Sequence, residues 1–274
     1  MKRLCKDRLA LIGLAIVGLI IAAGIFASYL APNDPVTIDL AKRLSPADNQ
    51  FPLGTDHLGR CILSRLLFGI RLSLGSAFLV LLAVMSISIC IGTLSGYIGG
   101  RVDNLIMRCV DIILAFPGLI LAMAVAGVLG PNLKNLMLAM VMTHWAGYAR
   151  VVRGLVLSVK EKEFVHAART CGTSGFKLVT RHILPNIVSP VIVLATIDMG
   201  QIILGISGLS FLGLGAQPPA PEWGAMLNDG RSYMQVAPQL MIAPGLSIGI
   251  VVLAFNLLGD GLRDAFDPRG TLRP

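Results

Sequence analysis

The sequence predicts an all-α, polytopic membrane protein with six transmembrane helices. Three observations predict it. Of 274 residues, 55% are hydrophobic and only 14% charged, where a soluble domain carries about 25% charged residues; the mean hydropathy is +0.77. The apolar residues are gathered into uncharged runs, several of them longer than the ~20 residues that cross a bilayer. Finally, a six-span thread leaves Lys42, Arg43, Arg60, Arg65, Arg71, Lys134 and Arg231 on one side of the membrane. The rest of the 23 basic residues fall on the other side, which loop charge marks as the cytoplasm. An aromatic content of 6% and 30 glycines suit helices that approach closely in lipid.

Lys2, Arg3, Lys6 and Arg8 precede an uncharged run from Leu9 to Asn33. A signal peptide has a similar start but an apolar core of only about 7–15 residues. The run therefore predicts an uncleaved first helix with its amino end in the cytoplasm. Pro32 to Arg71 is a polar external segment, with glycines for tight turns and arginines that place a helix at the interface before the second span, Leu72 to Gly100. The third helix starts near Asp103 and runs uncharged from Asp111 to Leu133, with a kink at Phe116-Pro117-Gly118, because proline frees a backbone carbonyl. That kink either lines a pathway or shapes packing. The fourth span extends from Asn135 to about Val152 and holds His144-Trp145, read as an interfacial anchor near a helix end or as a ligand for a metal.

The fifth span, about Ile187 to Leu209, contains Asp198. An ionisable group inside a span is a functional-site hypothesis by default: Asp198 either attracts a cation in a pathway or bonds a neighbouring helix. Gly205, Gly208, Gly213 and Gly215 weaken the helix beyond it. Pro218-Pro219-Ala220-Pro221 forbids a regular helix and gives a rigid external loop. Ser232 to Gly259 is the sixth span. The chain divides into 1–71 (tail, first helix and external segment), a core at 72–264 with a cytoplasmic loop at 161–186, and a cytoplasmic tail at 265–274.

The loop from Glu161 to Asn186 is the longest polar interruption in the second half. Phe164, Ala167, Ala168 and Cys171 share one helical face. Gly172 can end that helix, because glycine tolerates the left-handed backbone of a C-cap. Thr173 or Ser174 can cap a second helix, whose face is Phe176, Val179 and Ile183; Pro185 stops it and restricts Leu184. Two short amphipathic helices meet at a glycine corner.

Glu163, Ala167, Ala168, Gly172 and Ile183-Leu184-Pro185 resemble the "EAA" loop of ABC importer permeases, with a Phe-Val-His insertion common in the peptide and nickel branch. Leu53-Gly54-Thr55-Asp56 through Gly59-Arg60, then Ser64-Arg65, resembles a signature of that branch. Cys61 stands where the family usually has aspartate, which leaves a salt-bridge partner for Arg60 or Arg65 unassigned. Phe211 to Gly215, Pro218-Pro219 with Pro221-Glu222-Trp223-Gly224, and the ending from Phe255 to Arg269 resemble the branch as well. His144 to Arg150, HWAGYAR, is more similar to nickel-type than to dipeptide permeases.

Over its whole length the chain resembles a permease subunit of the peptide/nickel/opine ABC importers. The resemblance implies a type I ABC importer permease fold in the bacterial cytoplasmic (inner) membrane, with both termini cytoplasmic. It implies as partners a second homologous permease, two cytoplasmic ATPases and an external solute-binding protein. It makes Glu163, Ala167, Ala168, Gly172, Leu184 and Pro185 the residues of a coupling helix that docks in the ATPase. The other reading of the same pattern is an amphipathic loop lying on the membrane surface. Asp198, His144 and Phe116 are the candidates for the translocation path. Nickel or a nickel chelate is the expected cargo, and short peptides are the alternative.

What is missing points the same way. No G-x-x-x-x-G-K-[ST] loop occurs, so ATP and Mg are expected on partner ATPases and no cofactor on this chain. No H-E-x-x-H or G-x-S-x-G supplies an enzyme's metal set or nucleophile. His57 beside Asp56 offers too few ligands for a metal site. The five cysteines are scattered, without C-x-x-C, and read as small apolar filler. The net charge of +8, concentrated on one membrane side, points to lipid rather than nucleic acid. A secondary transporter would require several intramembrane acids, where only Asp198 is found. A membrane scaffold would not need the paired helices at the glycine corner.

Overall fold

Asp7 caps the first helix, with Oδ1 accepting from the Leu9 amide at 2.9 Å. The computed structural model describes residues 7–266; Lys2, Arg3, Cys5, Lys6 and almost all of the 265–274 tail lie outside them. In chain order the helices are α1 (Arg8–Ile25), α2 (Ala27–Leu30), α3 (Ile62–Ile98), α4 (Gly100–Leu114), α5 (Gly118–Leu129) and α6 (Leu133–Lys160). The corner helices α7 (Glu163–Thr170) and α8 (Gly175–Lys177) follow, then a π-helical stretch (Leu178–Ile183), α9 (Leu184–Phe211), α10 (Trp223–Arg231) and α11 (Gln239–Phe266). Among the described residues the only bridge is the isolated pair Thr55–Cys61.

Four helices (α1, α3, the continuous helix Gly175–Phe211, and α11) are long and apolar enough to cross a membrane, and the bent pair α4–α5 makes a fifth if it is one span. The sixth membrane-length helix is α6, with 28 residues or ~42 Å at 1.5 Å per residue. It is less apolar because it carries Lys134, Asn135, His144, Arg150, Arg153 and Lys160, and it packs along α3 and touches α4, α5 and α9.

The α3–α6 seam is the spine of the bundle. Ser88, Gly92 and Gly96 recur every four residues on α3 and so share one face. A Cβ at Gly92 would lie 2.6 Å from the Ala149 carbonyl oxygen, so no larger residue fits there. The Ser88 hydroxyl donates to the Trp145 carbonyl at 2.9 Å. Small residues and interhelical hydrogen bonds replace the hydrophobic effect in holding helices together within lipid. Above this seam one core gathers Leu66, Leu136, Ile203 and Trp223. Below it a second core gathers Val156, Val165, Leu178 and Ile187.

Several boundaries differ from the sequence reading. The helix of the second span begins at Ile62, so Arg65 and Arg71 ride on α3 itself and not on a helix of their own. The expected kink at Phe116-Pro117-Gly118 is a break of 84°, because Pro117 turns to ψ 120° and has no amide to continue the ladder. The fourth helix runs on to Lys160, far past Val152, which puts His144 in mid-helix rather than near an end. Gly205 and Gly208 do not interrupt α9, which continues to Phe211. The loop of prolines is short: Glu222 caps α10 immediately after it. The sixth span starts at Gln239, not Ser232.

Pro185 does not stop its helix. The chain is helical from Gly175 to Phe211, and the turn before the proline is widened into a π-helix. That turn changes which carbonyls need an amide, so the proline's missing N–H is tolerated, and the Asn186 side-chain amide donates to the His182 carbonyl at 2.7 Å.

Candidate functional site

The glycine corner is built from α7, its cap and the widened turn. The Gly172 N–H donates to the Arg169 carbonyl at 3.0 Å and the Thr173 N–H to the Ala168 carbonyl at 3.1 Å. This Schellman pair closes α7 only if Gly172 takes the left-handed φ of +78° that it has. Ser174 precedes the next helix, but its side chain makes no capping bond, and neither does Thr173.

Val165 anchors α7, fully buried against Val156, Val159, Leu178 and Ile183. The face shared by Phe164, Ala167, Ala168 and Cys171 is for the most part turned outward. Phe164, Ala167 and Cys171 are exposed and Ala168 is half-buried. Across the corner Phe176 is 80% exposed. Val165 lies about 100° round from Phe164, and the core is met by that neighbouring side of α7, with Ala168 packed at its edge. Glu163 and Pro185 are exposed and Leu184 is half-buried.

Inside the bundle, Asp198 of α9 faces the Tyr148 hydroxyl of α6. Its Oδ2 is buried and has no hydrogen-bond partner. His144 lies one turn before Tyr148 on the same face of α6. Its Nδ1 lies 3.0 Å from the Met140 carbonyl oxygen, an acceptor only, so Nδ1 is the donor there and, in the neutral ring, Nε2 is the acceptor nitrogen. Thr143 Oγ1 is also 3.0 Å from Nδ1. Phe116 stands apart, 57% exposed at the α4–α5 break. Among the described residues no group of three or more His, Cys, Asp or Glu side chains could hold a metal ion.

The opposite end of the bundle carries a buried charge clasp that the sequence reading left without acids. Arg60 and Arg65 are each 2% exposed. Arg60 Nε donates to Asp56 Oδ2 at 2.6 Å and its Nη2 to Asp229 Oδ2 at 3.2 Å. Arg65 lies 3.7 Å from Asp56 and 3.9 Å from Asp229, and donates to the carbonyls of Pro35 and Pro219. An aspartate at position 61 is not needed, and Cys61 packs as a buried apolar group. Asp229 lies far away in the chain, so no local spacing could have named it.

Beside the clasp Glu222 is fully buried. It accepts from the Gly224 and Ala225 amides at 2.9 Å and from the Ser73 hydroxyl at 3.2 Å. Burial pushes this carboxyl above its ordinary value, and the two amide bonds act against that shift. The sequence signal for this cap was Glu222 preceding a helix-compatible stretch directly after the prolines.

Comparison with known proteins agrees with the architecture. Residues 88–271 match the family described as binding-protein-dependent transport system inner membrane component. Residues 1–52 match the N-terminal TM domain of oligopeptide transport permease C. The nickel transport system permease protein NikC of Escherichia coli K12 is 46% identical over 261 residues, covering 95% of this chain and 93% of the relative. The dipeptide transport system permease protein DppC of Alkalihalophilus pseudofirmus is 42% identical, covering 98% and 88%. The glutathione transport system permease protein GsiD of Pectobacterium atrosepticum is 43% identical, covering 98% and 89%. Among solved structures, a chain of the MetNI methionine ABC transporter in an inward-facing form shares the fold, with TM-score 0.60 at 19% identity, covering 74% of this chain and 96% of that one. The chain belongs to the family of binding-protein-dependent transport system inner membrane components: it is a multi-pass permease subunit of an ABC importer in the inner membrane, a transport subunit and not an enzyme.

Proposed function

We propose that this chain forms half of the translocation path of an ATP-driven importer for nickel or a nickel chelate. The similarity to a nickel permease at 46% identity over nearly the whole of both chains supports this reading, and the mid-helix sequence His144 to Arg150 agrees with it. A second homologous permease completes the path, two ATPases dock from the cytoplasm, and a solute-binding protein delivers cargo from outside. Both termini lie in the cytoplasm.

The α7 corner is the coupling element. Glu163, Ala167, Ala168 and Gly172 shape it, Leu184 and Pro185 join it to the fifth span, and its exposed apolar residues, Phe164 and Phe176, enter a groove of the ATPase. When ATP closes the motor dimer, the docked corner moves and the bundle changes from inward- to outward-facing; the binding protein then releases its cargo. ATP and Mg are held by the ATPases. On the path, Asp198 offers a carboxylate oxygen with no protein partner and His144 the acceptor Nε2 of its neutral ring, both suited to a passing cation, while Phe116 lies at the break.

Di- or oligopeptides are the second reading, supported by relatives named for dipeptide and glutathione transport at 42–43% identity. Uptake of labelled nickel by cells with and without this chain, with excess dipeptide as competitor, separates the two. Uptake lost on deletion and unaffected by dipeptide supports nickel. Unchanged nickel uptake, with lost growth on a dipeptide as sole nitrogen source, overturns nickel in favour of peptides.

A further inference from the structure

At the corner end of the bundle a second charge cluster ties three helices together. Asp103 of α4 is 8% exposed. Arg153 of α6 grips it with both prongs, Nε to Oδ1 at 2.5 Å and Nη2 to Oδ2 at 2.6 Å. The Ser95 hydroxyl of α3 donates to Oδ1 at 2.5 Å. Fork-to-fork pairing of this kind fixes orientation as well as distance. Farther along α4, Asp111 pairs with Arg150, again of α6. So α4 is strapped to α6 at two points, one buried at Asp103 and one exposed at Asp111. Val102, Leu105 and Ile112 face outward.

The strap lies beside the α7 corner. From Arg153, α6 runs two further turns to Lys160 and passes straight into α7. Lys160 Nζ donates to the Tyr97 carbonyl of α3 at 2.8 Å. Gly175, which opens the second corner helix, is packed so tightly on Tyr97 that a Cβ would meet its hydroxyl at 2.8 Å. The corner, the end of α3, the end of α6 and α4 therefore form one bonded body. The chain leaves that body at Ala115–Pro117, where α4 and α5 break by 84°.

We infer that Asp103 and Arg153 are positioning residues for transport: they make α4 move with the corner, so that displacement of the corner is delivered to α5 through the break. This rests on reading the corner as the ATPase-coupling element. With one member of this pair removed, α4 is left with the exposed Arg150–Asp111 pair, which contributes little in water, and the corner then moves without carrying α5.

The test uses the full complex of both permeases and ATPases in proteoliposomes, with the native cysteines of this chain replaced by serine and Leu119→Cys on α5 as reporter. The measured quantity is the change in maleimide labelling of that cysteine on adding ATP and vanadate, which requires no knowledge of the cargo. In Asp103→Asn and in Arg153→Lys, which keeps the charge and loses the fork, the ATP-dependent change is expected to shrink about tenfold, within the range of ordinary coupling energies between sites, while ATP hydrolysis persists. The exchange Asp103→Arg with Arg153→Asp is expected to restore part of it. Gly172→Val is run alongside.

If Asp103→Asn and Arg153→Lys respond like the parent while Gly172→Val does not, the strap inference is overturned and the coupling reading stands. If Gly172→Val also responds like the parent, the coupling reading itself fails. A parent that shows no response, or Asp103 and Arg153 variants that never assemble, also overturns the inference, because the pair would then serve folding alone.

Discussion

Gly92 of α3 meets the Ala149 carbonyl of α6 with no room for a side chain: a Cβ would lie 2.6 Å from that oxygen and 2.8 Å from the Val152 Cβ. Backbone on one side and a β-branched residue on the other leave nothing flexible to yield. Gly92→Leu is therefore expected to destabilise the bundle by at least the ~1–3 kcal/mol of ordinary overpacking. The amount of intact complex extracted from membranes, and its melting temperature in detergent, should both fall. Gly75, which has no neighbour within 4 Å of an added Cβ, provides the control: Gly75→Ala should leave both unchanged.

Gly172 holds φ at +78° in open space, so its constraint is backbone strain and not packing. A β-branched residue there costs about 1–2 kcal/mol of left-handed strain. Gly172→Val should leave the chain inserted and uncouple uptake from ATP hydrolysis. Gly172→Asn, which tolerates the left-handed region, should retain more coupling than Val. Equal uptake per ATP in wild type and Gly172→Val would remove the corner from the mechanism.

The clasp acids should rank by burial. The Asp56 side chain is 7% exposed and 2.6 Å from Arg60, whereas Asp229 is 25% exposed and 3.2 Å away. Removing a partner from a buried ion pair costs about 3–5 kcal/mol. Asp56→Ala is expected near that figure and Asp229→Ala below it, in thermal unfolding of the purified complex. The reverse order would show that Asp229, and not Asp56, carries the buried arginines.

Glu222 binds its proton more tightly in the fold than in the unfolded chain, because burial disfavours the carboxylate. Its contribution to stability is therefore full below the ordinary carboxylate value and is lost as pH rises through the raised value. Unfolding midpoints measured from acid to neutral pH should fall less steeply in Glu222→Gln than in wild type. Identical slopes would show that the amide and hydroxyl bonds keep this group at its ordinary value.

Asp198 has one buried oxygen without a partner and lies opposite Tyr148. If it meets cargo, Asp198→Asn should lower nickel uptake several-fold, within the range of a single lost charge contact, and leave assembly intact. A drop in assembly with uptake per complex unchanged would make it a packing group that bonds α6.

Much of the fold was legible in sequence because membrane spans obey a strong local rule. A backbone in lipid must satisfy its own hydrogen bonds, so uncharged runs read directly as helices. The corner was legible for a similar reason: a left-handed cap requires glycine, and Gly172 stands where α7 ends. The Ser88-Gly92-Gly96 spacing of the α3–α6 seam is likewise present in the sequence.

Other features were set by neighbours distant in the chain. The proline at 185 reads as a stop, yet a π turn stabilised within the bundle carries the helix past it. The apolar residues of α7 share a face in sequence, yet it is Val165, on the neighbouring side, that is buried in the core. Arg60 finds Asp229 at a separation of 169 residues, and Arg153 finds Asp103 at 50.

The sequence by itself determined that the chain is a helical membrane protein, where its apolar runs lie, which loops carry the positive charge, and that a glycine corner interrupts them. Those depend on hydrogen bonding, hydropathy and backbone sterics, which act between near neighbours. Only the tertiary structure decided which charges pair, which face of α7 is free, and how α4 is held. Those depend on Coulomb and packing terms between helices, whose partners the order of residues does not name.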